Sequence, residues 1–491
     1  MTSTPDTTNP DPQTRARRRT SRRFRSALAM TTAGLMLLTG CAASSKAASS
    51  DTTITDGAAT ASAVATDDET ADADADTAEV DLFDSSVVHT ISVDFDQVGY
   101  DAMIDTFTST GEKEWISATV TIDGVSYENV GLRLKGNSSL FGLTSATSGN
   151  PDDLPWLIRL NEFVEGEDHQ DYEEIVIRSN STETALNEAV AQELLAVTGL
   201  ASQDPIATAF TVNGGETELR LAVENPDEEW YEDNFTDEEG LLYKADSDGD
   251  YSYRGDDAEA YTDVFDQKVG DDDMEPLIDF LEFINNADDT TFATELSDHL
   301  DVEAFATYLA FQDLIGNADD INGRGNNSFL QYDTTTNQFT VVSWDLNLAF
   351  DTANVGGAGG AGGAVGEVGD AAGGPVAGGG GRPGGVGGRP AGPLPDAAGG
   401  GAVGGGAVGG VGGPGDQANV LVDRFMADED FAALYTSATE ELNELLFASG
   451  TVDEVIANWA DLLISDASDL VAEDIVAAEA AALIGYVDGV R

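Results

Sequence analysis

Between Asn317 and Phe350 the chain reads NADDINGRGNNSFLQYDTTTNQFTVVSWDLNLAF, which gathers Asp319 and Asp320, Asn326 and Asn327, and Asp345 with Asn347 into one short stretch. Carboxylates and carboxamides are the hard oxygen donors that Mg²⁺ takes when it bridges a protein to phosphates. A single Asp of this kind means little. The ordered set Asp-Asp, Asn-Asn, Trp-Asp-Leu-Asn is a stronger pattern. Two strands, Ser328 to Tyr332 and Gln338 to Ser343, joined by a Thr/Asn turn, are predicted to carry it. A helix over Val302 to Leu314 delivers Asn317 to the same place. Strand alternation continued past Ser343 turns Trp344 and Leu346 into the core, and Asp345 and Asn347 toward a cleft.

The chain has only 22 Lys and Arg against 91 Asp and Glu, a formal charge of −69, so each cation is informative. The predicted strand Gly131 to Lys135 puts Arg133 and Lys135 on one face and Leu132 and Leu134 on the other. It runs into Gly136-Asn137-Ser138-Ser139, where backbone N–H groups and hydroxyls are available to an anion, although an ordinary turn is the plainer reading. Arg159, inside the strand Leu157 to Leu160, is either a phosphate contact or the partner of a buried acid. Ser181 to Val197 is predicted as an amphipathic helix capped by Ser181, with Ala189, Val190, Leu194 and Leu195 as its core stripe. Glu188 on that helix could pair with a phosphate-orienting cation or lie on the surface. Further back, Val87 to Val93 and a hairpin about Asp123-Gly124 read as strands. So do Ala207 to Val212, Glu218 to Val223 with Glu224 at its end, and Leu241 to Lys244. After residue 416 the pattern is helical.

At Asn317 to Asp320, Asn326-Asn327 and Trp344 to Asn347 the sequence resembles the CotH kinase family of atypical protein kinases. The likeness extends from about Val88 to Phe350, and again from Asn419 to the C-terminus. The resemblance implies an α+β, divergent protein-kinase-like fold, with mixed strands followed by a helical C-terminal part. It also implies transfer of phosphate from ATP, with Mg²⁺ or Mn²⁺, to Ser/Thr of a surface or secreted protein substrate. On that reading Asp319 or Asp320 serves the acceptor hydroxyl, and Asn327, Asp345 and Asn347 hold the metal. Arg133, Lys135, Arg159, Glu188 and Glu224 line the nucleotide side, the family's Lys/Arg-Gly-Asn-x-Ser element lying toward the nucleotide. The rival is a non-catalytic surface lipoprotein that keeps the fold for envelope or matrix binding.

Composition sets the address. Seven of the Lys and Arg fall between Arg15 and Arg25, followed by the apolar run Ala27 to Leu38 and Leu38-Thr39-Gly40-Cys41. This resembles a bacterial lipoprotein signal (residues 1–41) with Cys41 lipidated, which predicts an extracytoplasmic protein held to the membrane by that lipid alone. Arg22-Arg23 hints at twin-arginine export. Residues 42–84 are Ala/Asp/Thr-rich and read as a disordered tether, and the Gly/Ala-rich residues 351–415 as a low-complexity insertion without a core. The folded domain is expected over residues 85–350 and 416–491. The acidic balance excludes nucleic acid as a partner. Asp246, Asp248 and Asp250 have the spacing of a Ca²⁺ loop, but Tyr251 stands where the sharp turn wants Gly, and an acidic surface loop is the plainer reading.

Overall fold

The computed structural model describes residues 80–136, 138–140, 143, 150–246, 250–322, 325, 327–350 and 419–491. The predicted leader with Cys41, most of the tether, the Gly-rich insertion, Asn137, Asp248 and Asn326 lie outside the described residues. Residues Leu82–Arg491 form one compact unit.

The strands divide into two sheets rather than one mixed set. Seven of them, β1 (Val88–Phe95), β2 (Ile116–Ile122), β3 (Val125–Leu134), β4 (Trp156–Arg159), β5 (Glu174–Ile177), β6 (Pro205–Val212) and β7 (Thr217–Glu224), close a barrel in the order β1-β2-β3-β4-β5-β7-β6. Parallel pairing of β6 with β1 completes it, Val88 opposite Ala207. Alternation fills the interior with Ile91, Val93, Leu132, Trp156, Ile175 and Phe210, all at most 1% exposed, and helix α1 (Gln97–Thr110) adds Tyr100, Met103 and Ile104 to that core. Leu82 and Phe83, upstream of the expected boundary at residue 85, are buried in the same core. The Asp123-Gly124 hairpin forms as expected, with φ of 47° and 87° at its two central residues. The second strand of this hairpin and the strand expected to begin at Gly131 are one, because a register shift at Ala118/Thr119 and a left-handed Asn129 (φ 62°) absorb the irregularity without ending the ladder.

The outer face of β4, β5 and β7 packs on helix α2 (Leu186–Thr198). This helix begins later than its sequence suggests. Ala185 is left-handed (φ 53°), and the polar residues before it are held by Glu479 of the C-terminal helices. Glu479 accepts from the Thr182 hydroxyl at 2.7 Å, from the Glu183 N–H at 3.0 Å, and from both the N–H and the hydroxyl of Thr184. Glu479 thus orders the residues before the helix, and the Thr184 hydroxyl, not Ser181, accepts the first helical N–H, that of Leu186, at 3.2 Å.

The second sheet runs β11-β10-β8-β9, antiparallel throughout, from β8 (Leu241–Ala245), β9 (Phe265–Val269), β10 (Ser328–Asp333) and β11 (Gln338–Ser343). Between β7 and β8 lies the short helix α3 (Glu228–Asn234). After β9 come α4 (Glu275–Asn286), α5 (Asp289–Glu295) and α6 (Val302–Leu314). The C-terminal part is α7 (Val420–Ala427), α8 (Glu429–Leu442), a π-helical turn Asn443–Ala448, α9 (Thr451–Asp466) and α10 (Glu473–Val490). Helices α9 and α10 join α2 and the barrel in one apolar cluster, while α7 joins α4 and the second sheet in another. Among the described residues no helix is long and apolar enough to cross a membrane.

Candidate functional site

Residues paired across strands share a face of the sheet. Gly131 pairs with Arg159, Arg133 with Leu157, Arg159 with Glu174, and Val176 with Val223, so Arg133, Arg159 and Glu174 stand on the barrel's outer face. Lys135 and Arg178 continue that face just past the ends of β3 and β5. Glu224 pairs with Ile175 and so belongs to the opposite, interior face, where its carboxylate accepts the Asp204 N–H at 2.9 Å. The structure therefore does not bring Glu224 to the cations. Burial, the largest cause, and the neighbouring Asp204 raise its pKa well above the carboxylate range.

At the centre stands Arg178, 8% exposed. Its guanidinium bonds Glu188 at 2.9 Å and also Asp345. One cation thus joins the helix acid to the acid of the Trp-Asp-Leu-Asn motif. Glu188 is 3% exposed, not a surface residue. Burial pushes its pKa up to about 7 against the opposing pull of Arg178, and repulsion by Asp345 adds to the rise. Sequence reading missed Arg178. The available signal was the apolar run Glu174-Ile-Val-Ile ending in a cation, the mark of a buried strand that delivers a charge.

Asp345 does turn toward solvent while Trp344 (7%) and Leu346 (0%) enter the core. The cause is not strand alternation, since β11 ends at Ser343 and Asp345 is left-handed at φ 59°. Such a conformation in a residue other than glycine costs free energy that the surroundings must offset, and strain of this kind gathers at functional sites. The Asn347 carbonyl is held by the Asn187 amide at 2.6 Å and the Ser181 hydroxyl at 3.2 Å. Helix α2 and the loop before it therefore fix both Asp345 and Asn347.

The two acids at 319 and 320 separate. Asp320 is 8% exposed, caps the Asn322 N–H at 2.8 Å, and burial lifts its pKa to about 7. Asp319 is exposed, and its pKa is raised by desolvation first and then by the charge of Asp345. Asn327, 7% exposed, donates to the Asp319 carbonyl at 2.9 Å. Asp319, Asn327 and Asp345 are thus neighbours, with Asn347 close along the chain.

The cations surround this group. The Lys135 ammonium lies 5.1 Å from the Trp344 ring, and Arg178 is 5.9 Å from the same ring. Lys135 donates to Asn225 at 2.8 Å, and Asn225 in turn donates to Glu174. Desolvation lowers the pKa of Lys135 to about 7 and that of Lys244 to about 8. Lys244, which the sequence did not single out as a site residue, lies 5.2 Å from the Phe329 ring. Arg133 and Arg159 flank Trp115 at 4.6 and 5.0 Å. Arg159 is the partner of acids, bonded to Glu174 and, at 3.1 Å, to Glu162. Arg133, by contrast, has a buried Nε with no hydrogen-bond partner. Lys113 and Lys268 lie in the same electrostatic neighbourhood.

The remaining acidic loop is used locally. Asp250 bonds Ser252 and Arg254, Asp257 caps Glu259, and Asp246 is exposed. Among the described residues, no three His, Cys, Asp or Glu side chains group closely enough to hold a metal ion.

The sequence matches a family model described as CotH kinase protein over residues 132–469. No curated protein matches it.

Proposed function

We propose, from the premise that the chain belongs to the CotH kinase family, that this cleft transfers phosphate from ATP to Ser/Thr hydroxyls of a protein substrate on a divergent kinase-like fold. One observation carries the reading. Seven of the 22 Lys and Arg sit in the leader, and seven more (Lys113, Arg133, Lys135, Arg159, Arg178, Lys244 and Lys268) converge on one neighbourhood beside the oxygen-rich loop of a chain with formal charge −69. Four of them, Lys113, Arg133, Lys135 and Lys244, have pKa values lowered first by burial and then by neighbouring cations, so they are held against their preference for water. A polyanion is the ligand that relieves this.

The donor set fits the expected groups. Arg133, with its unpartnered Nε, and Lys135 suit phosphate oxygens. Asp345, Asn327 and Asn347 offer oxygens to Mg²⁺ or Mn²⁺, which takes one or two carboxylates while phosphates supply further ligands. Bound there, the metal and ATP would supply an activated phosphoryl group with its charge neutralised. The chain's own residues do the rest. Arg178 balances Asp345, Glu188 holds Arg178, and α2 fixes both. Asp319, exposed beside Asp345, is placed to take the acceptor proton, whereas Asp320 is buried and spent on its turn. Position and electrostatics are what phosphoryl transfer asks of a protein.

The same proposal keeps the domain outside the membrane on a lipid at Cys41, supported by the basic and apolar run before it. The non-catalytic alternative draws on a specific observation, that Arg178 already neutralises Asp345. Incubation of the purified mature chain with labelled ATP, Mg²⁺ or Mn²⁺ and a general protein acceptor decides between them. Transfer or ATP hydrolysis supports the kinase reading, and neither nucleotide binding nor turnover with any divalent metal overturns it.

A further inference from the structure

Five buried polar side chains cross the apolar centre behind the cleft. Gln192, Gln203, Ser343, Gln312 and Asn317 are 1, 0, 2, 1 and 5% exposed. From one side Gln192 donates to the Gln203 carbonyl at 3.2 Å, and Gln203 donates to the Ser343 backbone carbonyl at 3.3 Å. From the other, Asn317 donates its amide to the Gln312 carbonyl oxygen at 2.8 Å, and Gln312 donates to the Ser343 hydroxyl at 2.9 Å. The backbone N–H of Asn317 also bonds the Gln312 backbone carbonyl, at 3.0 Å.

Three of the five members lie close along the chain to a site residue. Gln192 is one helical turn after Glu188, Ser343 two residues before Asp345, and Asn317 two before Asp319. Gln312 is itself an exception in its helix, where Phe305, Tyr308, Leu309 and Phe311 are buried hydrophobics. A buried amide is costly unless it is bonded, and an aliphatic residue would fill the same place without that demand. What Gln312 adds is direction. Its two ends are fixed, one on Ser343 and one on Asn317, so the turn that leaves α6 is tied to the end of β11.

We infer that Gln312 is a positioning residue of the phosphoryl-transfer site, which sets the Asn317–Asp320 loop against Asp345 through its paired bonds to Asn317 and Ser343. The inference rests on the proposed function for its catalytic consequence, but its structural half stands apart from it. Gln192 Oε1 and Asn317 Oδ1 have no hydrogen-bond partner, but both ends of the Gln312 amide are bonded, and a buried polar group bonded at both ends specifies the arrangement of the elements it joins more sharply than apolar packing does. The loop bearing Asp319 is thereby held in register with Asp345.

The test uses the full mature chain with Gln312→Met, which keeps the unbranched shape and removes both bonds, and Gln312→Glu, whose carboxyl can still accept from Asn317. Amide exchange across residues 316–322 is read without nucleotide, alongside phosphate transfer with Mg²⁺. In Gln312→Met, loop exchange is expected to quicken about tenfold or more and kcat to fall about tenfold or more, with the KM for ATP changing less than about threefold. Gln312→Glu is expected to recover most of both. Unchanged loop exchange in Gln312→Met overturns the positioning role, whatever the activity. So does equal loss of kcat in the two variants, or a fall in kcat accompanied by a matching rise in KM. If the loop loosens but even the unaltered chain transfers no phosphate, the positioning stands and the kinase reading is what fails. A melting temperature measured for each variant identifies one that has simply unfolded, and Ser343→Ala, which removes the Gln312–Ser343 bond and leaves that to Asn317, then replaces it, with loop exchange expected to quicken and kcat to fall in the same direction by a smaller factor; no change in either overturns the positioning role.

Discussion

Asp345→Asn separates a functional carboxylate from a structural one, because the two roles predict opposite stability changes. In the folded chain Glu188 has a pKa of about 7, against 4.5 ordinarily. Between those values the native state binds more protons than the unfolded chain, so stability falls as pH rises through that window. At 1.36 kcal/mol per unit, a displacement of this size corresponds to a loss of about 3 kcal/mol by pH 7. Burial is the largest cause, and repulsion by Asp345 adds to it. Replacing Asp345 by Asn removes that repulsion and leaves Arg178 and Glu188 as a neutral pair, so the Glu188 carboxyl should ionise at lower pH. The melting temperature of the variant at pH 7.5 should therefore equal or exceed that of the unaltered chain, and the pH 5–8 stability slope should flatten. Transfer of labelled phosphate should meanwhile drop by roughly 100-fold or more, as when one electrostatic contact to a transition state is lost. Thermal melts across pH and a phosphate-transfer assay on the same preparation read both quantities. If the variant melts more than about 5 °C lower with its pH slope intact, or transfers phosphate at the unaltered rate, the carboxylate is a structural partner of Arg178 and the reasoning fails.

Lys135→Met should weaken ATP binding by about tenfold or more, as one ammonium leaves the phosphate side. It should also remove a pH dependence of the opposite sign: the pKa of Lys135 is lowered to about 7, so the unfolded chain binds more protons above that pH and stability rises from pH 7 toward 10. Calorimetric titration with ATP and melts at pH 7 and 9 check the two parts. Glu479→Ala releases the loop Thr182–Thr184 and should cost about 1–3 kcal/mol, as expected for buried or partly buried donors left unpaired, with kcat reduced because Asn187 and Glu188 follow directly; a denaturation curve and the transfer assay read it, and an unchanged midpoint refutes the clamp. Cys41→Ser should release the protein from the membrane fraction, and immunoblotting of fractions would show retention if no lipid anchor exists.

Local patterns were the legible part. The alternating strands, the Asp123-Gly124 turn, the helix over Val302–Leu314 and the oxygen-rich loop all declare themselves within a window of a few residues, because period and turn chemistry are local. The closure of the barrel is not local: β6 meets β1 across more than one hundred residues of chain, and nothing in either strand says which neighbour it takes. The same limit explains the site. Arg133 and Lys135 could be placed by alternation, but whether Arg159 met a phosphate or an acid depended on Glu174 in another strand. Glu224 was misplaced for a related reason: it ends a strand whose register with β5 turns it to the interior face. Arg178 is the most telling case. It is separated by 167 residues from Asp345, the acid it holds, and no spacing rule connects them. Once the two are in contact, the charge at the closing motif, the buried acid on α2 and the strained turn at Asp345 become one electrostatic unit. That unit is assembled from three segments, each unremarkable alone, and this is why perturbing any one of them should be felt at the other two.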